Sequence, residues 1–86
     1  MTKNVVYTTG YCPFCTAVKN LLERHGVEFE EKTMSSRSEI EKVKKEFNWR
    51  TVPIVVLNGK FIGGFDDTRA LIKEGKLDDF LAGNGD

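Results

Sequence analysis

The spacing of apolar positions changes along this chain, and each change of period predicts a new element. VVYT, from Val5 to Thr8, is a β-branched and aromatic run closed by Gly10, which predicts a short buried strand. Ala17, Val18, Leu21 and Leu22 then recur at steps of three and four, the signature of an amphipathic helix, and His25-Gly26 ends it where glycine can take the left-handed cap. VEFEEK, from Val27 to Lys32, alternates apolar and polar as a half-buried strand does. In SSRSEIEKVKKEF, Ser36 and Glu39 have the spacing of a capping box, with Ile40, Val43 and Phe47 on one face behind it. PIVVL and KFIGG flank Asn58-Gly59, a two-residue turn suited to a β-hairpin. Asp66 or Asp67 is placed to cap a third helix running through Leu71 to Gly75, and Leu77, Phe80 and Leu81 predict a short last helical stretch.

The predicted order is β-α-β-α-β-β-α-α. A strand, helix, strand unit requires a right-handed crossover and a parallel pair, and the hairpin adds an antiparallel edge, so the expected fold is α/β with a four-stranded mixed sheet flanked by helices. The 86 residues suffice for one domain, 1–86, burying roughly 60–65 per cent of its unfolded surface. Ala82 to Asp86, AGNGD, reads as a disordered tail.

Thirteen Lys and Arg balance thirteen Asp and Glu, so net charge offers no grip on nucleic acid or an anionic membrane. No segment approaches the ~20 apolar residues of a membrane span and the N-terminus carries no signal-peptide core, so a soluble cytoplasmic protein is expected. Two cysteines are too few for the disulfide framework of a small secreted module, and with one histidine the chain is poorly equipped for a closed zinc site, so no metal is expected.

Both cysteines fall in YCPFC, and a CxxC pair beside a βαβ pattern marks a thioredoxin-like redox site. If the first helix begins here, Cys12 is its N-cap and Pro13 its first residue, where proline is favoured because its missing N–H would have had no intrahelical partner. An N-cap side chain faces the free amides of Phe14 and Cys15 and the positive end of the helix dipole. Cysteines in such settings fall from ~8.5 to a pKa of about 3.5–7.5, so Cys12 is assigned as the nucleophile. Cys15, one turn further in and within bonding reach, points into the protein, keeps its proton, and is assigned as the resolving thiol.

Taken together, YCPFC at Tyr11 to Cys15, TVP at Thr51 to Pro53 and GGFDD at Gly63 to Asp67 resemble a glutaredoxin of the dithiol kind, over nearly the full length from Asn4 to Leu81. The resemblance implies a thioredoxin-like fold and a glutathione-dependent thiol-disulfide oxidoreductase that reduces protein disulfides and protein–glutathione mixed disulfides. It implies a glutathione site formed by Tyr11, Phe14, Thr51, Val52, Pro53, Gly64, Phe65, Asp66 and Asp67. Pro53 would follow a cis peptide bond, and Val52 would pair its backbone with the cysteinyl part of the ligand. The start of the third helix would hold the γ-glutamyl carboxylate, with Asp67, assisted by Asp66, facing its ammonium. Glutathione is then the reducing co-substrate with no tightly bound cofactor, the other partners are disulfide-bearing or glutathionylated proteins, and the protein acts as a monomer.

Two positions depart from the family pattern. Thr9 stands where many relatives carry a lysine, so helix position alone must stabilise the Cys12 thiolate unless Lys19, Arg37 or Arg50 reaches in, and a Cys12 pKa in the upper part of the family range is expected. Phe14 replaces the usual tyrosine. Trp49 is open between bordering the groove and packing in the core, and His25 reads as a helix-terminus residue. Two other functions fit the same residues. One is an iron-sulfur cluster shared between two subunits through Cys12 and bound glutathione, although relatives that do this usually lack the proline after the first cysteine. The other is a thioredoxin-reductase-dependent hydrogen donor for ribonucleotide reductase, against which GGFDD favours glutathione.

Overall fold

The structure is a computed structural model describing residues 4–10 and 12–78. The strands are β1 (Val5–Thr9), β2 (Glu30–Met34), β3 (Ile54–Leu57) and β4 (Lys60–Gly63); the helices are α1 (Pro13–Arg24), α2 (Arg37–Glu46) and α3 (Phe65–Lys73). Strand order is β2-β1-β3-β4, with β1 parallel to β2 and antiparallel to β3, and β3 antiparallel to β4. This is the expected mixed sheet. Leu77 and Asp78 are helical, while Phe80, Leu81 and the tail expected to be disordered lie outside the described residues.

Register decides which residues share a face. Val6 sits opposite Val55, and with Leu57 they form the core against Val18 and Leu22 of α1. Leu22 is fully buried, so Leu22→Ala costs about 2–5 kcal/mol. On the other face Tyr7 sits opposite Ile54, and Val56 opposite Phe61. There Tyr7, Phe47, Phe61 and Trp49 form a chain of ring contacts with centroids 5.3–5.7 Å apart. Ile40, Val43 and Phe47 are half-buried, the expected apolar face of α2.

Local signals set most boundaries. The Ser36 hydroxyl accepts from the Glu39 amide at 3.2 Å, while the Glu39 carboxylate reaches the Ser35 amide instead of that of Ser36. Asn58 and Gly59 both have positive φ, 53° and 79°, the geometry of a tight hairpin turn. Gly26, at φ 72°, follows the cap residue His25 of α1.

Two expectations need correction. β2 begins at Glu30, three residues later than the alternation of VEFEEK implies. Val27 is buried and its amide bonds the Leu22 carbonyl at 2.9 Å, so the first apolar residues of that run close the core beneath α1 before the strand starts. Pairing with Val5–Thr9 then occupies Glu30–Met34, an edge strand exposed except at Met34. Neither Asp66 nor Asp67 is the N-cap of α3; that residue is Gly64. Asp67 works from inside the helix, its Oδ2 accepting from the Gly64 amide at 3.1 Å.

Candidate active site

β1 delivers the chain to the N-terminus of α1 with Cys12 as the N-cap, at φ −154° and ψ 104°, and Pro13 as the first helical residue. The Cys15 amide donates to Cys12 Sγ at 3.1 Å. That amide is one of those a helix start leaves without an intrahelical partner, and it supports negative charge on the sulfur. Cys12 is partly exposed, whereas Cys15 is 2% exposed, and neither forms a disulfide. Burial, then the hydrogen bond with Cys12 and the charge there, push the Cys15 thiol up to about 12; contact with the Thr9 backbone and the charge of Lys19 act the other way. The two sulfurs therefore differ in access, and the inner one holds its proton, which is the asymmetry a nucleophile and a resolving thiol need.

Cys12 faces a second wall. Its Sγ lies 4.0 Å from the Val52 carbonyl oxygen. The Val52–Pro53 peptide is cis, and Pro53 is buried at the start of a central strand. Beside it runs a groove of about 270 Å³, with Thr51, Val52 and Pro53 on one side and Gly64, Phe65, Asp66 and Asp67 on the other. Phe14 closes one end, 60% exposed and with its ring 6.0 Å from that of Phe65. Every groove residue expected from the sequence is thus assembled except Tyr11, which lies outside the described residues.

Glycines allow the walls to approach. A Cβ on Gly64 would lie 3.5 Å from the Pro53 carbonyl oxygen and 3.7 Å from Trp49 Nε1. Gly63 has φ 132°, and a Cβ there would come within 2.5 Å of Asp67 Oδ2, so the Asp67 bond to Gly64 requires glycine at 63. Trp49 serves both suggested roles: it lines the groove and packs edge-on against Phe61, and its indole N–H is buried with no partner. No pattern along the chain distinguishes those roles, because both depend on how the segment before β3 folds over the sheet.

Of the basic residues considered as replacements for a lysine at position 9, Lys19 is bound to Glu31 at 2.9 Å. Among the described residues there is no cluster of three His, Cys, Asp or Glu side chains able to hold a metal ion, and no helix long and apolar enough to cross a membrane.

The chain matches the glutaredoxin family model over residues 4–62. It is 49% identical over 77 residues to Glutaredoxin-C6 of Oryza sativa subsp. japonica, an overlap covering 85% of this chain and 69% of the rice protein. The crystal structure of a wheat glutaredoxin superimposes with a TM-score of 0.83 at 42% identity, covering 99% of this chain and 82% of that one. A buckwheat glutaredoxin–glutathione complex superimposes with a TM-score of 0.80 at 29% identity, covering 98% and 80%. With a partly exposed thiol capping α1, a protected one a turn behind it, and these relatives along nearly its whole length, the chain belongs to the glutaredoxin family and is a thiol-disulfide oxidoreductase.

Proposed function

We propose that this protein uses glutathione to reduce protein–glutathione mixed disulfides and protein disulfides, with Cys12 as nucleophile and Cys15 as resolving thiol. The observation that carries this reading is the placement of Cys12 Sγ, bonded to the Cys15 amide at 3.1 Å and 4.0 Å from the carbonyl of Val52, a residue lining the groove. A thiol peptide laid along Val52 brings its own sulfur to that of Cys12.

The groove suits a short acidic tripeptide. Val52 offers backbone groups to the central cysteinyl residue, as one rung of a β-ladder would, flanked by Thr51 and Pro53. The N-terminus of α3, at Gly64, Phe65 and Asp66, supplies amides for the γ-glutamyl carboxylate, and Asp67 an anion for its ammonium. Phe14 borders the groove at the end beside the active thiols. That a structural neighbour was solved as a glutathione complex supports the choice of ligand.

The reaction begins when the Cys12 thiolate attacks the sulfur of a mixed disulfide that carries glutathione. The bond to the target breaks, the target leaves as thiolate and takes a proton, and Cys12 is left glutathionylated. A second glutathione thiolate attacks that adduct, releasing glutathione disulfide and Cys12. With a protein disulfide, Cys12 forms the mixed disulfide, and Cys15 displaces the partner by bonding to Cys12; two glutathiones then reduce the internal bond. A dithiol recycled in this way suits a reducing compartment, so we place the monomer in the cytoplasm. The test is turnover of a glutathionylated peptide and of a protein disulfide by Cys15→Ser. Retention of the first with loss of the second is expected; equal retention of both would refute the division of labour.

A further inference from the structure

We propose that Lys19, one helical turn from Cys15 and held by Glu31 and Thr8, is a positioning residue whose positive charge eases the deprotonation of Cys15 that precedes closure onto Cys12.

The placement follows from helix geometry and sheet register. Cys15 and Lys19 are one turn apart on α1, and helical side chains lean toward the N-terminus, so the Lys19 stem lies along the turn that carries Cys15. Glu31 of β2 is in register with Val6 and Thr33 with Thr8, which sets both on the sheet face that α1 covers. Glu31 Oε2 accepts from Thr8 Oγ1 at 2.7 Å and from Lys19 Nζ at 2.9 Å. Thr8 is 1% exposed, so this anchor is fixed to the central strand. The hydrogen bond from Lys19, then that from Thr8, hold the Glu31 carboxyl below the usual carboxylate range, keeping it ionised at neutral pH as a constant acceptor.

Among the described residues, the groups that act on Cys15 are Cys12 and Lys19 of α1 and the backbone of Thr9 in β1, with Glu31 of β2 bound to Lys19. Lys19 acts on the Cys15 sulfur by its charge, in the direction that favours the thiolate, while Cys12 opposes it. In the closing step Cys15 gives its proton to solvent, its sulfur bonds to that of Cys12, and the partner leaves as thiolate and is protonated; the two cysteines are oxidised as the partner disulfide is reduced. The rate of this step rises with the thiolate fraction at Cys15, so a cation held one helical turn away accelerates it.

The step rests on Cys15 being the resolving thiol; the placement of Lys19 does not, and the two can be tested apart. Cys12→Ser removes the hydrogen bond and charge that oppose ionisation, and Cys15 is then titrated by the ultraviolet absorbance of its thiolate. Adding Lys19→Gln should move the midpoint upward by about half a pH unit, and Lys19→Arg should restore it, which a mere packing role would not do. In the dithiol protein, Lys19→Gln should slow closure of a preformed Cys12–glutathione adduct about twofold at neutral pH, the loss of thiolate being partly offset by its greater nucleophilicity. Coincident midpoints with and without Lys19 overturn the inference. A shifted midpoint in a protein that never closes its dithiol would keep Lys19 as the partner of Cys15 and overturn the resolving role.

Discussion

The backbone amide of Cys15 donates to the sulfur of Cys12 at 3.1 Å, so the residue that carries the inner thiol also stabilises charge on the outer one. The same helical turn withdraws the inner sulfur from solvent. One turn of helix thus creates both halves of the asymmetry on which dithiol exchange depends.

Alkylation should read that asymmetry directly. With Cys15 at 2% exposure and its thiol pushed up to about 12, neutral iodoacetamide should modify one cysteine in the folded protein, Cys12, and both only after unfolding. Peptide mass spectrometry checks the count and the site, and early labelling of Cys15 in the native protein would contradict the description.

The raised Cys15 value also sets a stability trend. Its ordinary value is 9.0, and the fold prefers the protonated thiol, so this contribution is complete below pH 9.0 and is lost as pH rises toward about 12, where the unfolded chain has already released the proton. Urea unfolding at about pH 8 and about pH 11 should show a smaller loss for Cys15→Ser than for wild type.

Asp67 is placed for two tasks, and one substitution separates them. Asparagine keeps an oxygen to accept from the Gly64 amide but loses the charge proposed to face the ligand ammonium. Asp67→Asn should leave the unfolding midpoint nearly unchanged and raise the KM for glutathione about tenfold. Asp67→Ala should in addition cost about 1 kcal/mol through the lost cap. An unchanged KM in both variants would confine Asp67 to capping.

The two glycines before α3 should fail differently. Gly63→Ala meets Asp67 Oδ2 at 2.5 Å from a backbone at φ 132°, so it should destabilise by about 1–3 kcal/mol. At Gly64, φ −101° suits alanine and the nearest atom would be 3.5 Å away, so Gly64→Ala should fold with a smaller loss while its methyl narrows the groove and weakens glutathione binding. Denaturation and binding titrations on the two variants would show whether stability and affinity part in this way.

The parts legible in the sequence are those set by neighbours along the chain. Proline after Cys12 starts a helix wherever the pair lies, Ser36 caps α2 through an amide three residues on, and Asn58-Gly59 turns the hairpin. What stayed hidden depends on distant partners. β2 starts at Glu30 because β1 offers its edge there, although the alternation begins at Val27. The Lys19–Glu31 pair arises only when the β1–β2 register brings Glu31 under α1. Gly64 caps α3 because the turn out of β4 lets Asp67 reach back, and Trp49 joins groove and aromatic cluster through sheet geometry.

The seclusion of Cys15 makes the protein a ready-made bait. In the proposed scheme a client disulfide is joined to the outer sulfur until the inner one displaces it, so without glutathione Cys15→Ser should hold such clients on Cys12, whereas glutathionylated targets still leave at the first attack. Captured complexes that fall apart under reductant would identify the physiological targets by name.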